Sequence, residues 1–228
     1  MTFPPRAAHA PRVREPSLLP EKEQSSTARI GGILLCGGRA LRLGGVEKGL
    51  LRLEGKPLFQ HAAERLQPQV SWLAISANRE REEYAACGFP VLPDLRPGFL
   101  GPLAGVEAAL AALPLRLSFL LTAPGDAPFL PADLVERLFH GMKAGRRTSA
   151  YAHDGVRGQF LCALFERGCE DLLRGFLDRG GRRVEEFLRE TGATVVDFSD
   201  RAADFWNVND ADDWDRICRR AAQGQGGA

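Results

Sequence analysis

Residues Ile30 to Gly49 read IGGILLCGGRALRLGGVEKG, and the class of fold turns on them. Six residues with no charge, Ile30 to Leu35, are what a strand covered on both faces of a parallel sheet requires. The segment that follows carries Gly37, Gly38, Gly44 and Gly45 with the cations Arg39, Arg42 and Lys48. Glycine allows positive φ and close approach of the main chain, so that N–H groups can cradle phosphate oxygens. Taken alone, such a loop is as readily a solvated surface turn. Two standard phosphate loops are excluded: G-x-G-x-x-G is absent, and Lys48 has Glu47 before it and Gly49 after it, where a P-loop needs Gly and then Ser or Thr.

Outward from this stretch, short apolar runs alternate with amphipathic ones, the pattern of strands joined by crossover helices. Pro57 opens a helix with Leu58, Ala62 and Leu66 on one face. Strands are expected at Trp72 to Ser76, Phe89 to Leu92, Leu117 to Thr122, Ser149 to Ala152, Phe160 to Phe165 and Val195 to Phe198. Further helices are expected at Leu103 to Leu113, Pro131 to Met142, Cys169 to Leu177, Arg182 to Glu190 and Asp210 to Ala222. No linker divides two cores. The expectation is one Rossmann-like α/β domain over residues 29–222, a mostly parallel sheet with helices on both faces. Disordered segments are expected at residues 1–28 and 223–228.

Composition narrows the partners. The 228 residues hold 30 Lys and Arg against 29 Asp and Glu, a net charge of +1, which offers no field for nucleic acid or an anionic membrane. No run approaches the roughly 20 apolar residues of a membrane span. The five cysteines are scattered without a C-x-x-C pair, and read as reduced thiols in a cytosolic protein. The leader lacks an apolar h-region, and its acidic residues Glu15, Glu21 and Glu23 argue against a transit peptide.

In an open parallel sheet ligands bind beyond the carboxyl ends of the strands. Asn78 follows one strand, where its amide could read a base or sugar or merely close a turn. Asp94 follows another, ahead of Gly101 and Pro102, which open a helix whose N-terminus favours anions. Asp126, in TAPGDAPFLP, lies between Pro124 and Pro128. A carboxylate so restrained suits Mg²⁺ shared with substrate phosphates, or a helix cap. In WNVND, Asn207 and Asn209 point the same way if the stretch is extended, and one amide oxygen could complete a magnesium site.

In combination these residues resemble the molybdenum cofactor guanylyltransferases, a branch of the nucleotidyltransferases. The family pattern L-A-G-G-x-x-x-R-M-G-G-x-D-K-G is matched by Leu35 to Gly49, with Cys36, Leu43 and Glu47 departing from it. GKPL stands at Gly55 to Leu58, ANR at Ala77 to Arg79, GPLAG at Gly101 to Gly105, VDFSD at Val196 to Asp200 and NVN at Asn207 to Asn209. The metal segment P-C-D-T-P becomes PGDAP, with Gly125 and Ala127 departing. The likeness runs from about Ile30 to Asp215.

The resemblance implies a nucleotidyltransferase fold and Mg²⁺-dependent transfer of GMP from GTP to the phosphate of molybdopterin. Leu35, Cys36, Gly37 and Gly38 would contact the nucleotide through the main chain. Lys48 and Arg42 would act on its phosphates, Asn78 and Asp94 on guanine or ribose, and Asp126 on the metal. Gly101 also matches a site position. Arg182 and Arg183, with Asn207, are candidates for molybdopterin, although two arginines at a helix start are as readily solvated. Apo-molybdoenzymes or their chaperones are the implied further partners, with the chain a monomer or weak oligomer. Cytidylyl transfer to molybdopterin, a sugar-1-phosphate nucleotidyltransferase and a nucleotide-binding regulator are the rival readings. L-A-A-G would mark the first, and G-x-G-T-R the second.

Overall fold

The computed structural model describes residues 29–36, 47–98 and 100–224. The expected site positions Gly37, Gly38 and Arg42, the leader 1–28 and residues 225–228 lie outside the described residues. In chain order the elements are β1 (Ile30–Leu35), the hairpin strands β2 (Arg52–Leu53) and β3 (Lys56–Pro57), α1 (Leu58–Leu66), β4 (Trp72–Ser76), α2 (Arg81–Ala85), β5 (Val91–Leu92), α3 (Pro102–Ala112), β6 (Phe119–Pro124), α4 (Leu134–Ala144), β7 (Ser149–His153), β8 (Gly158–Glu166), α5 (Cys169–Asp178), α6 (Val184–Glu190), β9 (Thr194–Asp197) and α7 (Ala211–Gly224).

The main sheet has the order β5-β4-β1-β6-β8-β7-β9, and β8 alone runs against the rest. β1 is paired on both edges, to β4 from Gly31↔Trp72 to Leu35↔Ser76 and to β6 from Ile30↔Phe119 to Leu35↔Pro124. Its faces are covered as well. Ile30 and Leu34 pack with Phe59 and Leu66 of α1 and Leu138 and Met142 of α4, whereas Ile33 packs with Leu103 and Leu110 of α3 and Leu173 of α5. A strand closed on four sides must be free of charge, which is why IGGILL is. The expected mostly parallel sheet with helices on both faces is what forms.

The chain runs from β1 to β4 and β5 on one side, then crosses back so that β6 lies on the other side of β1. The direction of winding therefore reverses at β1/β6, and that is where such a sheet opens a crevice. Local irregularity widens it. β8 pairs Ala163 with Thr122 and Tyr151, but its next partner on β7 is Gln159 opposite Ala152, so residues 160–162 bulge out of the ladder. The Thr122 hydroxyl donates to the Leu161 carbonyl at 2.7 Å, satisfying a group that the bulge removes from sheet pairing.

Three of these elements were not expected, the hairpin strands β2 and β3 and the single turn of α2, because two-residue strands and a five-residue helix are too short to show a period. α7 carries Gln223 and Gly224, which extends it beyond the expected end at Ala222. Among the described residues no helix is long and apolar enough to cross a membrane.

Candidate active site

A cavity of about 340 Å³ opens at the β1/β6 reversal. Leu35 and Cys36 line it from the end of β1, Pro124, Gly125 and Asp126 from the end of β6, and Glu47 and Lys48 from the turn after the glycine-rich stretch. Gly101 and Pro102 close it at the start of α3, Leu161 at the bulge, and Asn207 and Asn209 ahead of α7. Of the expected site residues, Leu35, Cys36, Lys48, Gly101, Asp126, Asn207 and Asn209 are thus brought together.

The strand ends are tied by main-chain bonds, Cys36 N–H to Ser76 O at 2.9 Å and Gly125 N–H to Leu35 O at 3.1 Å, so the floor of the cavity is rigid. Asp126 stands on that floor. Burial pushes its carboxyl up to about 6; the neighbouring Lys48 charge pulls it back down in part, and Asp213 adds to the rise. Lys48 Nζ donates to Asn209 Oδ1 at 3.2 Å. Asn209 is held in turn, its main-chain N–H on Asp213 Oδ2 at 3.0 Å and its amide on Asn207 Oδ1 at 3.3 Å. The amide oxygen considered for a metal therefore accepts from the lysine. Gly101 has φ +83°, a conformation suited to glycine, and turns the chain into α3 beside the Arg182 carbonyl.

Two departures from the family pattern turn out to be neighbours. A Cβ at Gly125 would lie 2.2 Å from Cys36 Sγ. The sulfur fills the space that a side chain at position 125 would take, so any larger residue there must turn the Cys36 side chain aside. Burial, with the Asp126 and Glu47 charges, holds the Cys36 thiol well above its ordinary pKa, and Cys162 is raised by burial and by Asp126. Both stay protonated at neutral pH, so neither is a thiolate nucleophile.

Asn78 and Asp94 form a reciprocal pair outside the cavity lining. Asn78 Nδ2 donates to Asp94 Oδ2 and the Asp94 N–H donates to Asn78 Oδ1, each at 2.9 Å. Burial raises the Asp94 carboxyl, with the Asn78 bond opposing. Arg182 and Arg183 are not brought to the cavity. Arg182 donates to the Leu177 and Gly181 carbonyls, and Arg183 pairs with Glu185 and Glu186 of its own helix.

A family model described as a MobA-like NTP transferase domain matches residues 32–194, from within β1 to the first residue of β9. The chain belongs to the MobA-like NTP transferases. Its relatives include a molybdenum cofactor guanylyltransferase of Serratia proteamaculans, 41% identical over 197 residues, 86% of this chain and 96% of that one. Another, from Yersinia pestis, is 42% identical over 190 residues, 82% and 95% of the two chains. The crystal structure of molybdopterin-guanine dinucleotide biosynthesis protein A from Archaeoglobus fulgidus superposes with a TM-score of 0.70 at 21% identity, covering 85% of this chain and 99% of that one, a likeness of fold.

For a MobA-like NTP transferase the site has parts that residue-by-residue reading missed. Tyr84, fully buried on α2, places its hydroxyl 3.4 Å from the Cys36 carbonyl and 3.2 Å from Glu47 Oε2. It links the two residues between which 37–46 run. A tyrosine in the charged turn REEYA was the available signal, but nothing local says what it reaches. Asp213 was missed for the same reason: a helix docked from far along the chain brings it against Asn209.

Proposed function

We propose that this chain transfers the GMP group of GTP to the phosphate of molybdopterin, releasing pyrophosphate and forming molybdopterin guanine dinucleotide. One observation carries the reading. Asp94, Asn78 and Asp126 lie two residues past the ends of β5, β4 and β6, and Leu35–Cys36 at the end of β1, four strands that are parallel and consecutive in space. Three strand spacings span roughly 14 Å, the reach of a nucleoside triphosphate laid across the strand ends. The nucleoside falls to Asn78 and Asp94, and the phosphates to Lys48 and Asp126.

A divalent ion fits the donors present. Among the described residues no group of three acidic, His or Cys side chains could hold a metal on its own, and none donates a side-chain hydrogen bond to Asp126. One hard carboxylate facing a cavity that also receives phosphates is the usual provision for Mg²⁺. Asp126 would hold it, and when bound it supplies charge neutralisation at the phosphates.

The chain's own residues do the rest. The molybdopterin phosphate attacks through one of its oxygens, which forms a bond to the α-phosphorus while the bond to the α–β bridging oxygen breaks and pyrophosphate departs. The nucleophile is already anionic, so no general base is needed; the task is to bring two anions together in line. Lys48 leaves the Asn209 amide for the phosphates, and the Cys36 main chain sets the α-phosphate beside Asp126. The acceptor enters past Leu161 and Asn207, which line the cavity where Arg182 and Arg183 do not. Five free cysteines accord with a reducing, cytosolic setting, where apo-molybdoenzymes or their chaperones would receive the product.

The test supplies Mg²⁺ and molybdopterin with GTP or CTP labelled at the α-phosphate. Label is expected in the pterin with GTP; label from CTP alone would make the chain a cytidylyltransferase, and tight GTP binding without transfer would make it a regulator.

A further inference from the structure

The loop from β5 to α3, residues 93–98 and 100–101 as described, carries Asp94 and Gly101, and it is pinned on its far side by a guanidinium. Arg96 Nε and Nη2 donate to the two oxygens of Glu107 at 2.7 Å each, a planar fork, and Nη1 donates to Asp178 Oδ1 at 2.5 Å. A further contact runs from Nη2 to the Arg174 carbonyl at 3.5 Å. Glu107 is buried on α3, the helix that Gly101 opens, and Asp178 is the last residue of α5. Three elements meet at this one side chain.

We infer that Arg96 is the positioning residue of the nucleoside end of the site, holding Asp94 against Asn78 and Gly101 against the cavity through its fork on Glu107. The inference rests on the assignment of Asn78 and Asp94 to the nucleoside. None of Arg96, Glu107 and Asp178 lines the cavity, so their action passes through the loop. The loop is held at two points two residues apart, by the Asn78–Asp94 pair on the sheet side and by Arg96 on the helix side. Burial of a carboxylate under a guanidinium adds little stability over an apolar pair of like size. What the bidentate fork adds is a fixed orientation, and the residue so oriented sits beside Asp94.

The test uses the full chain with Mg²⁺ and compares its affinity for GTP with that for pyrophosphate, which engages only the Lys48 and Asp126 end. The double variant Arg96→Met/Glu107→Leu keeps the packing and removes the fork. Its affinity for GTP should fall on the order of 10- to 100-fold, the scale of a misplacement near 1 Å, while its pyrophosphate affinity and melting temperature stay near the parent's. Unchanged GTP affinity, or equal loss for both ligands, would overturn the inference. Asn78→Ala separates the two claims. If it leaves GTP affinity intact, the nucleoside assignment falls and the inference with it; if it lowers GTP affinity while the double variant does not, only the inference falls. Should the double variant fail to fold, Asp178→Asn, which removes only the exposed arm, is expected to give the same split in smaller measure, and no split would overturn the inference.

Discussion

At Asp126 function and stability are opposed. Its carboxyl is raised from 3.8 to about 6 chiefly by burial. The native state therefore holds a proton between pH 4 and 6 that the unfolded chain has released, so stability in the absence of metal falls as pH rises through that window and is level on either side. Two units correspond to about 2 to 3 kcal/mol. Asp126→Asn should therefore melt higher than the parent at pH 7.5 without Mg²⁺, the difference vanishing near pH 4, yet lose turnover on the order of 10²- to 10³-fold. Equal melting curves at both pH values would refute the burial argument. Lys48→Ala should lose activity on the same scale and melt lower than the parent at pH 7.5, because the charge that offsets the burial of Asp126 is gone, with the difference shrinking near pH 4. Cys36 and Gly125 make a coupled pair. Gly125→Cys alone should destabilise by about 1 to 3 kcal/mol through overpacking, and adding Cys36→Ala should recover most of it; additive losses in denaturant titrations would show that the two do not share space.

Among the α-helices, α2 is the shortest and has the longest consequence. Tyr84 packs edge-on against Phe59 of α1, ring centroids 4.8 Å apart, and its hydroxyl reaches Cys36 and Glu47. Tyr84→Phe keeps the ring and removes the link, so the melting temperature should move little while KM for GTP rises several-fold; an unchanged KM would leave the tyrosine a packing residue. α2 also marks the limit of what could be read in advance. β1, β4, α3 and β6 were legible because each is long enough to show an apolar run or a period; Asp126 and Asn209 were legible because they sit beside the ends of such elements, and Lys48 because it stands in the glycine-rich stretch after β1. Position relative to another element was not. Asn209 was expected to offer its oxygen to a metal, and that oxygen here accepts from Lys48, 161 positions earlier in the chain. Arg183, a candidate for the pterin, pairs with Glu185 and Glu186 of its own helix, partners that its place in the sequence does not reveal.

For the molecule as a whole, a single reversal of winding makes the site. Because β6 crosses to the other side of β1, the Asp126 carboxylate and the Lys48 turn line one crevice, and Asn78 and Asp94 follow the next two strands, β4 and β5, along the same edge of the sheet. The central claim is that one triphosphate lies between Lys48 and Asp126 with its nucleoside over Asn78 and Asp94. The most direct measurement is a crystal structure of the chain with a non-hydrolysable GTP analogue and Mg²⁺. The account predicts phosphates within hydrogen-bonding distance of Lys48 Nζ, the metal on an Asp126 oxygen and the guanosine at the ends of β4 and β5. A nucleotide bound with its phosphates away from both side chains would contradict it.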